Sequence, residues 1–252
     1  STTSRSIFNR MRILPQLVSG ESLLDTLPLQ TLIAQLIDAE LLAEVAQAHK
    51  QGRRLYIATV DLDSQRLAIW NMGLIAASGA QDSLTLFRKV MLASSAIPVA
   101  FPPVLFKVKA DGRYYDELHV DGAVGATVFY SAGVFNFEAA QKNSPRGPGR
   151  EDIYIIHNGQ VGPVHGETRR SLASIAYRSI EAAAKAAVIG DLFRIYASAQ
   201  RSQSGFFWVT IPAEVSLESE EMFDPQTMRR LFDFGLEKAQ HGDFWFNEPP
   251  GL

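Results

Sequence analysis

The sequence predicts an α/β fold in which helices and strands form layers. Short runs of β-branched and aromatic residues alternate with stretches in which apolar residues recur at helical spacing. Turn-forming Gly, Pro and Asp-Gly steps separate these runs. The 252 residues are 46% hydrophobic and 20% charged, which is typical of a globular chain that can bury one sizeable core. Because we find no internal repeat and no shift in composition, we expect a single domain over residues 1–252.

The order of the predicted elements follows from these patterns. Seven apolar residues at helical spacing predict one amphipathic helix over Leu29–His49, and Gly52 follows its end. Asp152–His157 is the best candidate for a buried central strand. The remaining predicted elements are strands at 54–60 and 66–70, a helix from Asp82 to near Ser94, strands at 105–108 and 113–120 around Asp111-Gly112, a long helix from Thr168 or Ser171 toward Ser198 interrupted near Gly190, a strand at 206–211 and a last helix from Asp224-Pro225.

Charge and cysteine content exclude several classes of partner. The 24 basic and 27 acidic residues give a net charge of -3 without a basic tract, so we expect no nucleic-acid partner. The absence of cysteine excludes disulfides and thiolate metal sites, and it fits a reducing cytosol and a disulfide-free bacterial envelope equally well. None of the five histidines has the His-x-x-x-His spacing of a zinc site. We therefore expect neither a cofactor nor a metal.

The most informative stretch is Glu-Leu-His-Val-Asp-Gly-Ala-Val at Glu117–Val124. By itself, an Asp-Gly step between β-like runs predicts only a turn. Alternatively, a strand ends at Val120 and Asp121 lies at its tip in a cleft, where catalytic groups of α/β folds concentrate. Such a carboxylate can take the proton of a serine hydroxyl as general base if burial adjusts its pKa. His119 would share a face with Asp121, although a histidine held by packing is the favoured interpretation.

A second unusual stretch, Ala93–Val104, contains two serines and three prolines. It predicts a helix end followed by a proline-stiffened loop that packs into the core. It also fits one wall of an apolar acyl-binding cleft, with Ile97, Pro98 and Phe101 as substrate-binding candidates. Both roles can hold, and we put the packing role first. A peripheral membrane contact through this stretch is a further hypothesis, and a buried position is favoured.

Asp61 and Asp63 lie two residues apart at a predicted strand end, so their side chains share a face. A metal site or an acid/base pair is one hypothesis. A solvated turn is favoured, because no third ligand has matching spacing.

Taken together, these residues resemble the patatin-like phospholipase family. The resemblance implies a layered fold whose central mixed sheet is flanked by helices, without a cofactor. It also implies hydrolysis of a lipid or other acyl ester by a serine that an aspartate activates without a histidine. The family's Asp-Gly-Gly or Asp-Gly-Ala motif maps onto Asp121, Gly122 and Ala123. The segments that carry the resemblance are 22–29, 52–63, 69–76, 86–98, 101–104, 119–123, 157–159, 190–192 and 221–224.

The family's serine lies on a Gly-x-Ser-x-Gly elbow, which these 252 residues do not contain. Gly20-Glu-Ser22 has only the first glycine, Ser131-Ala-Gly133 has only the second, and no glycine precedes Gly20 to form an oxyanion loop. We therefore expect that the chain begins downstream of the elbow and lacks the fold's amino-terminal strands. The missing segment is expected as a companion fragment or chain. Two alternatives stay open: a catalytically inactive lipid-binding or regulatory module, and a hydrolase that uses Ser1 as its nucleophile.

Overall fold

The chain forms two compact units. The computed structural model describes residues 9–10, 24–126, 128, 130, 149–162, 166–215, 223–242 and 244–252. The first unit comprises Ser1–Gly125, Thr168–Ile180 and Glu221–Pro225, and the second comprises Ala126–Glu167, Glu181–Glu220 and Gln226–Leu252. Since compactness does not show whether the units unfold together, a single domain over residues 1–252 stays a prediction.

The described part of the first unit combines antiparallel strands with four helices and the start of a fifth, which continues into the second unit. Its strands are β1 (Asn9–Arg10), β2 (Leu24–Asp25), β3 (Tyr56–Asp61), β4 (Arg66–Asn71), β5 (Val104–Ala110) and β6 (Arg113–Asp121). Its helices are α1 (Leu27–Leu36), α2 (Ala39–Lys50), α3 (Met72–Ala77) and α4 (Ser83–Ala93), and a 3-10 turn, Gly122–Val124, follows β6. Four strands form a sheet in the order β4-β3-β6-β5, and β1 pairs with β2.

Both predicted strand pairs are confirmed. Each is an antiparallel hairpin, β3 with β4 and β5 with β6, and β3 and β6 pair in the middle of the sheet. In the second hairpin Asp111 and Gly112 have φ of 50° and 77°, the left-handed values that a tight two-residue turn needs. The sheet therefore follows directly from the alternating residues and their turns.

The single helix predicted over Leu29–His49 is wrong. The chain becomes extended at Ile37, and the Asp38 side chain accepts a hydrogen bond from the Leu41 amide at 2.9 Å, so Asp38 caps the start of α2. The apolar spacing continues across this break because both helices face one core. Gly52 follows α2 with φ of 95°, as predicted.

The core of the first unit lies between these helices and one face of the sheet. Met72 and Val90 are fully buried in it, and Arg88 of α4 joins two helices by donating hydrogen bonds to the carbonyl oxygens of Ala34 and Ile37 at the end of α1. The buried cluster consists of Ile33, Ile37, Leu42, Met72, Phe87, Val90, Ala93 and Phe106.

Where the structure describes it, the second unit contains a parallel strand pair and most of two long helices. Its elements are β7 (Asp152–His157), β8 (Gly205–Thr210) and most of α5 (Leu172–Ser202) and α6 (Pro225–His241). Its core consists of Ile153, Ile155, Val188, Leu192, Ile195, Ala199, Phe206 and Trp208. Layered helices with antiparallel and parallel strands confirm the α/β fold class.

Two predictions in this unit are wrong. Tyr154 and Ile156 are 57% and 76% exposed, so β7 is half-buried rather than buried on both faces, and within the described residues it pairs with β8. α5 continues through Gly190 without interruption. Burial of Val188 and Leu192 on either side supports the helix against the cost of about 1 kcal/mol that glycine carries there.

Candidate functional site

Asp121 is the last residue of β6, at the tip of a strand as the sequence predicts. It lies opposite Thr59 of β3, and its amide donates a hydrogen bond to the carbonyl oxygen of Ala96 at 3.0 Å. The structure thus brings the Asp-Gly-Ala motif and the Ala93–Val104 stretch together. The backbone of Asp121 is fixed on both sides, which fixes the direction in which its side chain leaves the strand.

The Asp121 carboxylate is half-buried and held by one hydrogen bond. Its Oδ1 accepts from the Ala123 amide at 2.9 Å, and no other hydrogen bond reaches the carboxylate within the described residues. Burial raises the pKa of Asp121, and the hydrogen bond from Ala123 opposes that shift only in part. A carboxylate with one oxygen held, and with no partner for the other among the described residues, is suited to accept a proton as a general base.

Gly122 is required by the close approach of β6 to β3. A Cβ atom built at Gly122 lies 2.5 Å from the carbonyl oxygen of Ala58, which is backbone and cannot rotate away. Directly after Asp121 the chain enters the 3-10 turn Gly122–Val124, in which the Ala123 amide donates its hydrogen bond to the Asp121 carboxylate. The motif therefore combines a carboxylate at the strand end, a position with no room for a side chain at Gly122, and a backbone amide at Ala123 that holds the carboxylate.

A buried hydrogen-bond chain lies on the same sheet face as Asp121. Trp70 Nε1 donates to Thr59 Oγ1 at 2.8 Å, Thr59 Oγ1 is 2.8 Å from His119 Nδ1, and His119 Nε2 is 3.2 Å from Glu117 Oε2. If the Thr59 hydroxyl donates to Nδ1, Nε2–H donates to the Glu117 carboxylate and every group is satisfied. Thr59 and His119 are 0% and 1% exposed, so this order of donors is the one that leaves no buried group unpaired.

Both ring nitrogens of His119 are thus engaged by Thr59 and Glu117, and Phe106 packs edge-on against the ring at 4.7 Å. His119 is held by packing, the interpretation that the sequence favoured. Sequence reasoning missed Thr59, Trp70 and Glu117. A polar threonine inside the apolar run of β3 was the available signal.

The substrate-binding candidates of the Ala93–Val104 stretch lie in a packed segment. Phe101 is 2% exposed and packs with Ala100 and Ile97, whereas Ile97 and Pro98 are half-buried. Val99 has φ of 71°, a value that a β-branched residue adopts only under strain, and such strain often accompanies functional segments. The packing role of this stretch is visible, and its role in binding substrate stays a prediction.

Asp61 and Asp63 order the turn between β3 and β4. Asp61 accepts hydrogen bonds from the Asp63 amide and from the amide and hydroxyl of Ser64, and Asp63 accepts one from the Leu118 amide. Burial alone would raise the pKa of Asp61, yet these hydrogen bonds outweigh it and lower that pKa. In the described part of the chain, no group of three or more His, Cys, Asp or Glu side chains is placed to hold a metal ion.

Comparison with known families identifies the family of the chain. Residues 2–132, just over half of the chain, match the family model of patatin-like phospholipases. The chain belongs to the patatin-like phospholipase family. The match contains Asp121, Gly122, the buried hydrogen-bond chain and the Ala93–Val104 stretch. No curated protein matches the chain.

Membership confirms the resemblance and the patatin-like α/β fold, and it places the chain among lipid acyl hydrolases. In the segments that the structure describes, no helix is both long and apolar enough to span a bilayer.

Proposed function

We propose that this patatin-like chain supplies the general base of a lipid acyl hydrolase, and that the base is Asp121. The observation that carries the proposal is a half-buried carboxylate at the tip of β6, inside the family match, with one oxygen held by Ala123 and a raised pKa. Gly122 and Ala123 support the base by positioning it. Ile97 and Pro98 are proposed to contact the acyl group, with Phe101 packed behind them.

The proposed reaction uses a serine on a Gly-x-Ser-x-Gly elbow outside these 252 residues. Asp121 takes the hydroxyl proton while the serine oxygen bonds to the ester carbonyl carbon. Backbone amides of a glycine-rich loop on the same segment stabilise the oxyanion. The intermediate expels the alcohol, which takes the proton back from Asp121. Water then attacks the acyl-serine while Asp121 accepts its proton, and Asp121 returns that proton to the departing serine oxygen as the fatty acid is released. His119 takes no part, since Thr59 and Glu117 engage its ring.

Two measurements on the protein from its natural source test the location of the nucleophile. Intact mass establishes the length of the native polypeptide, and a fluorophosphonate probe labels activated serines. We expect the label on a serine in a Gly-x-Ser-x-Gly sequence, either on a longer chain or on a tightly bound fragment. A native chain of 252 residues that binds lipid and takes no label would instead support the inactive lipid-binding module. A label on Ser1 would support the amino-terminal nucleophile.

Asp121→Asn tests the base in the complete enzyme. We expect kcat for a soluble ester to fall about 10²- to 10⁴-fold, the usual contribution of general base catalysis, because the amide cannot accept the proton. Folding should be retained, since asparagine keeps an oxygen for the Ala123 amide. Asp116→Asn on the exposed part of β6 is the matched control and should leave kcat unchanged. Turnover of Asp121→Asn at the wild-type rate would show that the base is another group.

A further inference from the structure

We propose that the first unit contains a second lipid site, a cleft that binds a single-chain amphiphile with an anionic head group. The cleft has a volume of about 470 Å³, which lies in the range of sites for small organic ligands. It opens between α1, α4 and the start of β5, and Asp121 does not line it. Its lining consists of Thr26, Gln30, Ile33, Thr85, Arg88, Lys89, Leu92, Pro102, Pro103, Val104 and Leu105.

One side of the cleft is cationic. Arg88 and Lys89 are successive residues of α4, and no aspartate or glutamate belongs to the described lining. Arg88 already donates from Nε and Nη2 to carbonyl oxygens of α1, at 2.7 and 2.9 Å, so its main role is to hold the two helices together. Lys89 is the residue placed to bind a head group.

The environment of Lys89 leaves its charge available. Its Nζ lies 4.8 Å from the centre of the Phe106 ring, a contact that covers one side of the ammonium group. No carboxylate pairs with Lys89 within the described residues. The three N–H donors of an ammonium group can therefore serve an anion on the open side. A carboxylate and a phosphate monoester share the chemistry that this position recognises.

The other side of the cleft is apolar. Leu92, Val104 and Leu105 contribute aliphatic surface, and Pro102 and Pro103 carry no amide hydrogen that would have to be satisfied. Leu105 is 42% exposed in the absence of a ligand. An acyl chain removes this surface from water without burying an unpaired donor. Cationic and apolar walls in one cleft favour an amphiphile over a free inorganic anion.

A free fatty acid is the occupant we favour, because its carboxylate and single chain match both walls. Proposed hydrolysis at Asp121 would release such an acid, but the cleft proposal rests on its own lining residues. Binding and turnover therefore test the two proposals separately. Binding in the cleft without any hydrolysis would leave this proposal standing, and hydrolysis without binding in the cleft would overturn this proposal alone.

Calorimetric titration of the full 252-residue chain tests the site with ligands that differ only in the head group. Dodecanoate, dodecyl phosphate and dodecyltrimethylammonium are titrated below their micellar concentrations. We expect dodecanoate and dodecyl phosphate to bind and the cationic analogue to bind at least about tenfold more weakly. Tighter binding of dodecyl phosphate than of dodecanoate would assign the head to a phosphate-bearing lipid and retain the site. Equal binding of all three ligands, or of none, would overturn the proposal.

Variants locate the binding in the cleft. Lys89→Gln should weaken dodecanoate binding about tenfold or more, because it removes a charge-assisted hydrogen bond, and Lys89→Arg should restore it. Lys107→Gln, on exposed β5 outside the cleft, is the matched loss of charge and should bind like the wild type. Leu105→Gln should weaken both anionic ligands alike. Thermal midpoints confirm that each variant is folded, and wild-type affinity in folded Lys89→Gln would overturn the proposal.

Discussion

The hydroxyl of Thr59 is the hydrogen-bond partner of both Trp70 Nε1 and His119 Nδ1. Within the described residues, these two ring nitrogens have no other partner. The Thr59 hydroxyl accepts from Trp70 Nε1 and lies 2.8 Å from His119 Nδ1. Its backbone faces Asp121 across the β3–β6 pair. Removing this hydroxyl therefore tests the polar support directly beside the proposed base.

Thr59→Val keeps the side-chain shape and removes the hydroxyl. We expect the free energy of unfolding to fall by about 2 kcal/mol or more, because the Trp70 donor and the His119 acceptor become buried without partners. Urea denaturation measures the change. Thr59→Ser restores a hydroxyl and should recover most of the loss. If the serine variant is no more stable than the valine variant, packing of the Thr59 methyl group dominates instead.

The pKa of Asp121 links activity and stability in opposite directions. The base must be ionised, so activity should fall on the acid side with an apparent pKa above the ordinary aspartate value of 3.8. The folded state binds this proton more tightly than the unfolded state. The stability that protonation supplies is therefore fully present below the unfolded pKa and is lost as pH rises through the folded pKa.

Asp121→Asn removes this titration and provides the test. Relative to the wild type, its free energy of unfolding should rise with pH across that window and become constant above it, since asparagine has no proton to lose. Thermal or urea unfolding at a series of pH values measures the difference. Asp116→Asn, an exposed position on the same strand, is the matched control for the loss of one carboxylate. A difference that is independent of pH would mean that folding does not shift the Asp121 pKa.

At the scale of single residues, the sequence predicted those site residues that belong to a short local motif. Asp121 was recognisable because Asp-Gly-Ala ends a β-like run, and His119 because it lies two residues away on the same face. Thr59 and Lys89 were not recognisable, because their partners lie far along the chain. The Thr59 hydroxyl is hydrogen-bonded to His119, 60 residues further along the chain. The ammonium group of Lys89 lies over the ring of Phe106, a contact that only the folded chain forms.

At the scale of helices and strands, alanine should have opposite effects at two glycines, because Gly122 has no room for a Cβ atom and Gly190 has room for one. Gly122→Ala places a Cβ atom 2.5 Å from the Ala58 carbonyl oxygen, so β6 must move away from β3 and carry Asp121 with it. We expect the free energy of unfolding to fall by at least about 2 kcal/mol, and kcat of the complete enzyme to fall as well.

Gly190→Ala in α5 has nothing within 4 Å of the new Cβ atom, and its free energy of unfolding should rise by about 1 kcal/mol. Denaturation curves compare both with the wild type, and a stable, active Gly122→Ala variant would contradict the role of the close approach.

The errors at the scale of elements come from apolar periodicity. The spacing from Leu29 to His49 specifies which side of the chain is buried, and α1 and α2 bury the same side. Only the cap formed by Asp38 separates them, and an aspartate at a helical position is a weak signal until its hydrogen bond to Leu41 is seen. In β7 the apolar residues Tyr154 and Ile156 suggested burial on both faces, whereas only the Ile153 face packs on a core.

For the whole molecule, composition predicted one domain because nothing in it changes along the chain. Of the three buried clusters in the described residues, the two larger ones lie one in each unit, and each has its own strands and helices. Uniform composition cannot distinguish one core from two, since both require the same fraction of apolar residues. Whether the clusters form one folding unit depends on how strongly they are coupled.

Three tryptophans allow that coupling to be measured, because Trp70 reports the first unit, while Trp208 and Trp245 report the second. One variant keeps only Trp70 and another keeps only Trp208, with phenylalanine at the other positions. If residues 1–252 form a single cooperative domain, the emission and far-ultraviolet circular dichroism curves of each variant should coincide during urea unfolding. Comparing two signals within one variant removes the effect of the substitutions on stability. An emission transition displaced from the dichroism curve in either variant would show that the units unfold separately, and the chain would then comprise two domains.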